Sequence, residues 1–320
     1  YKRQSNNTAD FNDSSGEHGG GIYSTGNLTV VSSEIIDNHS NGDVGGILTG
    51  PNSITRVHDS TISGNSADGH GGGMLNRGTL SVVNSIIRDN EADVNHNGSG
   101  DGGGIYNAGN LSIENATISG NRAYKYGGGI VNGAALEVLS STIFGNFAAY
   151  YGGGIHNSSS GTTKVHNATI FENSCGYSGG GILNWGGTLT AVSSTIAQNT
   201  ADSNSNGTGG GGGIRTPSGS TTLHNTIVAN NMRRTVGPIA DDLSSSVATV
   251  GSYNLIGHAA GSNGLADGVN GNQVGRDPLL DPAGLQNHGG STQTVALLPG
   301  SPAIDAGSNA AADGWTTDQR

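Results

Sequence analysis

The sequence is poor in cysteine, lysine and long apolar runs, and each shortage excludes a class of protein. Cys175 is the only cysteine among 320 residues, which excludes an intrachain disulfide framework and a thiolate zinc cluster. With three lysines and a net charge of −11, the chain has no basic patch for phosphates, so we predict no nucleic-acid binding. No apolar run approaches the roughly 20 residues that span a bilayer, so we predict no membrane-spanning segment.

Aromatic residues are also scarce, and glycine is abundant. Aromatic residues make up 5 % of the chain, whereas 58 of its residues are glycine, far more than in an ordinary globular domain. Such a composition is compatible with disorder. However, a strict repeat runs through the sequence, and a disordered chain has no reason to keep a register. We therefore predict one elongated repeat domain.

The repeat consists of an asparagine, a polar loop, a triple glycine, a large apolar residue and a second asparagine. It is clearest from Asn121 to Asn132. The glycines precede short apolar segments and no Gly-Lys-Ser/Thr follows, so we interpret them as bends and not as phosphate loops. They recur at Gly19–Gly21, Gly71–Gly73, Gly102–Gly104, Gly127–Gly129, Gly152–Gly154, Gly179–Gly181 and Gly211–Gly213, with a degenerate copy at Val44–Gly46.

Each repeat carries two short apolar segments. Their alternation and their β-branched residues indicate strands, and no segment has helical period. The segments are too short for the blades of a propeller. The sequence therefore predicts an all-β fold, a right-handed single-stranded parallel β-helix of about 9–10 coils of ~25 residues. Equivalent residues of successive coils then stack ~4.8 Å apart.

Asparagines recur at fixed places in the repeat. Stacked amides can form a hydrogen-bonded ladder, and asparagine tolerates the left-handed backbone of a tight bend. We predict one ladder of Asn38, Asn65, Asn90, Asn121, Asn146, Asn173, Asn199 and Asn230. A second column contains Asn76, Asn107, Asn132, Asn157 and Asn184. The predicted interior row contains Ile62, Ile87, Ile118, Ile143, Ile170, Ile196 and Ile227.

The repeat dissolves near Thr235. Four of the seven prolines lie between Pro278 and Pro302. We predict parallel β-helix repeats over 1–234, beginning in mid-coil, and a last irregular coil with a Pro-rich C-terminal cap over 235–320. A solenoid end exposes unpaired strands and needs such a cap.

The C-terminal region carries four distinctive motifs: Gly251–Gly257, Asp277–Leu280, Gly289–Thr294 and Leu297–Gly307. Together they resemble the C-terminal module of bacterial choice-of-anchor Q domain proteins, and the upstream coils are similar to polymorphic outer-membrane-protein repeats. The resemblance covers nearly the whole chain. It implies a right-handed β-helix that is secreted or exposed on a bacterial cell surface, and a family sequence that continues beyond Arg320. It implies no single activity.

The loop between the first asparagine and the triple glycine has two lengths. Three loops are long and carry acid and amide oxygens at alternate positions, as in the first half of an EF-hand-type calcium loop. The glutamate expected at the twelfth position of such a loop is absent, and Asp and Asn are also common in turns. A calcium site and a solvated loop therefore both remain as interpretations. The candidate calcium ligands are Asp10, Asn12, Asp93, Asn95, Asn97, Asp101, Asp202, Asn204 and Asn206.

The short loops of three successive coils carry tyrosines. Their rings are expected to form a ridge on one edge of the solenoid, and contiguous exposed aromatics often mark a binding surface. Such a ridge suits sugar stacking or protein contact, and the alternative is that the rings only cover loop backbone. The candidate residues are Tyr124, Tyr126, Tyr150, Tyr151 and Tyr177.

Catalysis on this scaffold needs acids on neighbouring coils, since glycosidases use two carboxylates ~5–9.5 Å apart. In the column before the first asparagine the acids never fall on adjacent coils, and we interpret Asp241-Asp242 as a surface turn. We therefore predict no catalytic residues and a secreted or cell-surface structural or adhesive solenoid that binds glycans or surface proteins. The alternatives are a polysaccharide lyase or glycoside hydrolase, and a self-associating filament subunit stacked end to end.

Overall fold

Each repeat of the sequence forms one turn of a β-solenoid in the computed structural model. The structure describes residues 2–5, 7–9, 20–98, 100–205, 207, 209–235, 237–312 and 319. The chain winds through about 9 turns of ~27 residues, and the predicted all-β parallel solenoid is confirmed. Within the described residues, helix is limited to two 3-10 turns, Val269–Gly271 and Asn309–Ala311, and there is no candidate for a membrane-spanning helix among them.

Three parallel sheets, A, B and C, run along the solenoid. The strands of sheet A are Lys2–Ser5, Ser33–Ile36, Thr61–Ser63, Ile86–Arg88, Thr117–Ser119, Thr142–Phe144, Thr169–Phe171, Thr195–Ala197, Ile227–Ala229, Leu255–Ile256 and Gln273–Val274. Those of sheet B are Thr8–Ala9, His39–Ser40, Ser66–Ala67, Glu91–Ala92, Arg122–Ala123, Phe147–Ala148, Ser174–Cys175, Thr200–Ala201, Met232–Arg234 and, antiparallel, Pro238–Ala240.

Sheet C has two segments in each turn, because the chain bends slightly between them. The first segment contains Ile22–Ser24, Ile47–Thr49, Met74–Asn76, Ile105–Asn107, Ile130–Asn132, Ile155–Asn157 and Leu243–Ser245. The second contains Asn27–Val31, Ile54–His58, Thr79–Val83, Asn110–Glu114, Ala135–Leu139, Thr162–His166 and Thr249–Ser252. In two turns one long strand forms both segments, Ile182–Val192 and Ile214–His224.

The core consists of stacked aliphatic rows. The inward row of sheet A contains Ile35, Ile62, Ile87, Ile118, Ile143, Ile170, Ile196 and Val228, and all of them are buried. The prediction that Ile227 ends this row is wrong, because Val228 pairs with Ile196 and Ile227 lies half-buried on the outer face. A shift of one residue along a strand exchanges its two faces.

The predicted amide ladder forms at the bend between sheets A and B. The Nδ2 of each buried asparagine from Asn38 to Asn199 donates to the Oδ1 of its neighbour in the next turn at 2.9–3.0 Å. The last asparagine of the ladder is Asn231, which accepts from Asn199, so the prediction of Asn230 is wrong. Asn230 is exposed and has a φ of 59° in the bend before the ladder. The cause is the same one-residue shift. Thr226, and not Ile227, aligns with Ser194 of the preceding turn, so Asn231 aligns with Asn199 in the ladder.

Two further polar columns hold the other bends. The second asparagine column forms a ladder with Nδ2 to Oδ1 distances of 2.8–2.9 Å. Between sheets C and A, the hydroxyls of Ser60 and Ser85 accept the N–H of the residue one turn earlier, each at 3.1 Å. Buried backbone groups need such partners, so these columns let the chain turn without unpaired N–H groups.

The solenoid continues beyond residue 234, and the Pro-rich segment lies against its side. Strands Leu255–Ile256 and Gln273–Val274 extend sheet A. An antiparallel hairpin of Leu280–Gln286 and Thr294–Leu297 packs over Phe171 on the outer face of the same sheet. The sequence predicts this segment as a cap at the end, but its hairpin instead covers an apolar outer patch that water would otherwise contact.

Candidate functional site

The five predicted tyrosines lie together at the bend between sheets B and C. Their loops follow the strands Arg122–Ala123, Phe147–Ala148 and Ser174–Cys175. Because these loops have the same short length, their backbones stay in register, with parallel bridges from Tyr126 to Tyr151 and from Tyr151 to Ser178. The turn-by-turn repeat thus places rings from successive turns one above another.

The outer row of rings contains His96, Tyr124, Tyr150 and Tyr177. The His96 and Tyr124 rings are 5.0 Å apart between centroids and nearly parallel at 17°. Tyr124 and Tyr150 meet edge to face at 6.1 Å, and Tyr150 stacks on Tyr177 at 5.3 Å and 12°. Each arrangement is a favourable geometry for aromatic pairs, so the rings stabilise one another along the solenoid axis.

The inner row contains Tyr126, Tyr151 and His156. The centroids of Tyr126 and His156 are 4.9 Å apart with an interplanar angle of 10°, and those of Tyr126 and Tyr151 are 5.7 Å apart. Tyr151 contacts Tyr177 at 5.6 Å, which joins the two rows, and Trp185 at 5.9 Å. We define the aromatic array as His96, Tyr124, Tyr126, Tyr150, Tyr151, His156, Tyr177 and Trp185.

Three members of the array were not predicted. His156 follows the inward Ile155 and points outward beneath Tyr126, and Trp185 directly follows Asn184 of the second ladder. Aligning the repeats at the residue after Ile155 would have placed His156 beside the tyrosines, whereas Trp185 reaches Tyr151 only through the path of the long strand Ile182–Val192. His96 belongs to a long loop whose path the repeat does not define, so only the structure shows its stacking on Tyr124.

The array has a buried side and an exposed side. Burial lowers the pKa of His156 to about 4, so its imidazole is neutral at pH 7, and its Nδ1 has no hydrogen-bond partner within the described residues. Burial, together with the neighbouring phenols, raises the pKa of Tyr151. Tyr150 and Trp185 are 36 % and 49 % exposed. The array therefore offers neutral aromatic surface to a ligand.

Charged residues border one end of the array. Lys125 Nζ lies 4.8 Å from the centre of the Tyr126 ring, and Asp101 Oδ1 accepts the Tyr126 N–H at 3.2 Å. His70 Nδ1 accepts the Asp101 N–H at 3.1 Å, so in the neutral imidazole the proton is on Nε2. Burial raises the pKa of Asp101, and His70 and Lys125 oppose that shift. At the other end of the array, the Trp185 ring contacts the Tyr151 ring.

The candidate calcium ligands have several different surroundings. Asp93 and Asp202 are fully buried. Asp93 Oδ1 accepts the Asn97 N–H at 2.9 Å and its Oδ2 accepts the Gly98 N–H at 2.8 Å. Asp202 Oδ2 accepts the Gly207 N–H at 2.8 Å. The side chains of Asn95, Asn97 and Asn204 are exposed, whereas Asp10, Asn12 and Asn206 lie outside the described residues.

Asp93 and Asp202 thus act as acceptors for the backbone of their own loops. In the part of the chain that the structure describes, no group of three or more His, Cys, Asp or Glu side chains is placed to hold a metal ion. We expect the melting temperature to be the same with calcium as with a chelator, because the two aspartates already have N–H partners. We also expect Asp93→Ala to speed proteolysis of its loop, with a cost of about 1–3 kcal/mol.

Thermal unfolding with calcium chloride or EGTA checks this expectation, and the control is Thr29→Ala, at an exposed strand position outside the loop. A calcium-dependent rise in melting temperature that Asp93→Ala abolishes would contradict it and assign a calcium site to the loop.

The sequence predicts a surface turn at Asp241-Asp242, and this prediction is wrong. Asp242 is buried, and its Oδ1 accepts both the backbone N–H and the Nδ2 of Asn231 at 2.9 Å, while its Oδ2 accepts the His258 N–H at 2.7 Å. Burial raises the pKa of Asp242 to about 6, against the opposing effect of these donors. Asp241 Oδ2 accepts the Gly211 N–H at 2.9 Å. Asp242 therefore ends the first amide ladder.

The comparisons with known proteins add no candidate to this geometry. The chain matches no protein-family model, no curated protein and no solved structure.

Proposed function

We propose that this chain is a non-catalytic, extracellular solenoid that binds a polysaccharide through the aromatic array. The observation that carries the proposal is the concentration of rings: five of the nine tyrosines and one of the two tryptophans of the chain lie in this one array. A rigid scaffold that gathers its few large aromatics on one exposed edge is typical of a recognition surface.

The chemistry of the rings favours sugars. Tyrosine and tryptophan combine an apolar body with a polar tip, which suits ligands that have both C–H faces and hydroxyl groups. Within the described residues, the hydroxyls of the array tyrosines form no hydrogen bond with the protein, so they are free to bind ligand hydroxyls. A solenoid surface repeats every ~4.8 Å, and a polymer of sugar rings repeats on a similar scale.

The carboxylates near the array accept backbone N–H groups, and this supports a binding function without catalysis. Asp93 and Asp101 accept backbone N–H groups, as described above, so they hold loops in place. The extracellular, bacterial surface location is part of the same proposal, and the C-terminal motifs Gly251–Gly257 and Leu297–Gly307 support it through their resemblance to secreted β-helix proteins.

Truncation of exposed rings tests the proposal. We expect Tyr150→Ala and Trp185→Ala each to weaken polysaccharide binding at least about tenfold, because truncating a central aromatic anchor commonly costs 2 kcal/mol or more. The measurement is affinity electrophoresis against a panel of cellulose derivatives, xylan, mannan and β-glucan, followed by calorimetry.

The matched control is Tyr23→Ala. Tyr23 is 46 % exposed and lies outside the array, so its loss should leave binding unchanged. The proposal is rejected if the unmodified chain binds no member of the panel, or if Tyr23→Ala weakens binding as much as Tyr150→Ala does.

A further inference from the structure

The outer face of the second segment of sheet C carries a groove. It has a volume of about 320 Å³ and crosses four consecutive turns, through the strands Thr79–Val83, Asn110–Glu114, Ala135–Leu139 and Thr162–His166. Several outward residues of the lining are small, and Ala135 occupies a position where a longer side chain would fill part of the groove. The groove therefore runs along the solenoid axis, across the strands.

One strand links the groove to Trp185 of the aromatic array. Thr162, at one end of the groove, pairs with Thr188 in the neighbouring turn. Trp185 lies three residues before Thr188 on the same long strand, Ile182–Val192, with a register irregularity between them and a φ of 89° at Gly186. One strand therefore connects the array to the turn next to the end of the groove.

The outward lining consists mainly of small and neutral polar groups. Leu80, Leu111 and Leu136 point into the solenoid core on the other face of the sheet, whereas Ser81 and Ser112 contribute hydroxyls to the groove surface. The two charged residues that line it are of opposite sign and are partners in register, Glu137 and Lys164. The groove thus has no net charge.

These properties select among polymeric ligands. An extended peptide binds a sheet by adding a strand at a free edge, but the strands that form this groove are paired with neighbours on both sides. An anionic polymer is repelled by the net charge of −11. A neutral sugar chain is not repelled by this surface, and its hydroxyl groups can bind the hydroxyl and amide groups of the lining.

We infer that the groove is a second subsite for the ligand of the aromatic array, and that an uncharged polysaccharide chain passes from the array over Trp185 into the groove. This inference rests on the proposed function and adds the neutral substrate class and the length of chain that is bound. A short oligosaccharide occupies only the array, whereas a longer one reaches both subsites.

Calorimetry with cello-, xylo- and manno-oligosaccharides, from disaccharide to octasaccharide, tests the inference on the full chain. We expect affinity for the preferred series to rise at least tenfold with chain length. Ala135→Arg fills the groove with a long side chain at an exposed position, so it should abolish this rise and leave binding of the short oligosaccharides unchanged. Trp185→Ala should weaken the binding of both.

The control is Thr29→Arg, which adds the same side chain at an exposed position on the same sheet face, outside the groove. Affinity that does not depend on chain length, or a length dependence that Ala135→Arg preserves, overturns the second subsite and leaves the array intact as a binding site. Tighter binding of oligogalacturonate than of every neutral series overturns the neutral class. An absence of binding to any oligosaccharide overturns both this inference and the proposed function.

Discussion

Replacing Gly103 with alanine is expected to unfold the chain or to lower its free energy of unfolding by at least about 4 kcal/mol, at the extreme of single substitutions. A Cβ at Gly103 would overlap the backbone N, C and O of Arg122 in the next turn. Backbone atoms of a paired strand cannot move aside as a flexible side chain can, so successive turns would have to separate. Separation would break the parallel pairing that holds them together.

Urea unfolding followed by circular dichroism measures this effect. The control is Gly26→Ala, since a Cβ at Gly26 meets no atom within 4 Å and its φ is not positive. The same crowding affects the middle glycine of other triplets, where Gly72 faces Glu91 and Gly128 faces Phe147. Equal unfolding midpoints for the Gly26→Ala and Gly103→Ala variants would show that the turns are not packed this closely.

Replacing Asn121 with alanine is expected to lower the free energy of unfolding by about 3–5 kcal/mol, because it leaves several buried groups without partners at about 1–3 kcal/mol each. Asn121 Oδ1 accepts both the backbone N–H and the Nδ2 of Asn90, and its Nδ2 donates to Asn146 Oδ1 and to the Ile87 carbonyl. Alanine can neither accept nor donate these bonds.

Asn110→Ala is the matched control, because Asn110 is an exposed asparagine that lies in a strand of the same region and points outward. Differential scanning calorimetry of the two variants should give a large fall in melting temperature for Asn121→Ala and almost none for Asn110→Ala. Similar melting temperatures would mean that the ladder contributes little to stability.

The sequence is sufficient to predict the fold because the repeat is strict where neighbouring turns touch. Ile62 and Ile87 recur at the same place, and Asn65 and Asn90 follow them at a constant interval. Successive turns stack at the same spacing of ~4.8 Å, so a residue type that packs well at one position of a turn packs well at that position in every turn. The spacing alone therefore predicts the register of most of the strands.

Prediction fails where two residues fit one position equally well. Asn230 and Asn231 are adjacent, and local sequence does not distinguish them. The choice depends on Val228, which packs in the core, and on Asp242, which binds the Asn231 amide. Both contacts join residues whose pairing the pattern does not define, so the one-residue shift becomes visible only in three dimensions.

The sequence predicts only part of the candidate site, because the repeat brings some of its residues together and not others. Tyr124, Tyr150 and Tyr177 share a loop in successive turns, so the repeat brings them together. Trp185 belongs to a different bend, and only the path of the long strand Ile182–Val192 brings it beside Tyr151. The groove depends on side-chain volume at Ala135, which periodicity does not report.

The first amide ladder gives the solenoid an electrical polarity. Every rung donates its N–H toward the C-terminal turns, so the side-chain dipoles from Asn38 to Asn231 point the same way and add, as peptide dipoles do in a helix. The positive end of this line meets the carboxylate of Asp242, which accepts hydrogen bonds and has none to donate when ionised. The line of hydrogen bonds therefore ends at the carboxylate of Asp242. The two ends of the ladder are therefore inequivalent. At the bend between sheets C and A, Asn254 and Asn272 instead continue the column of Ser60 and Ser85, since Asn254 Oδ1 accepts the Thr226 N–H.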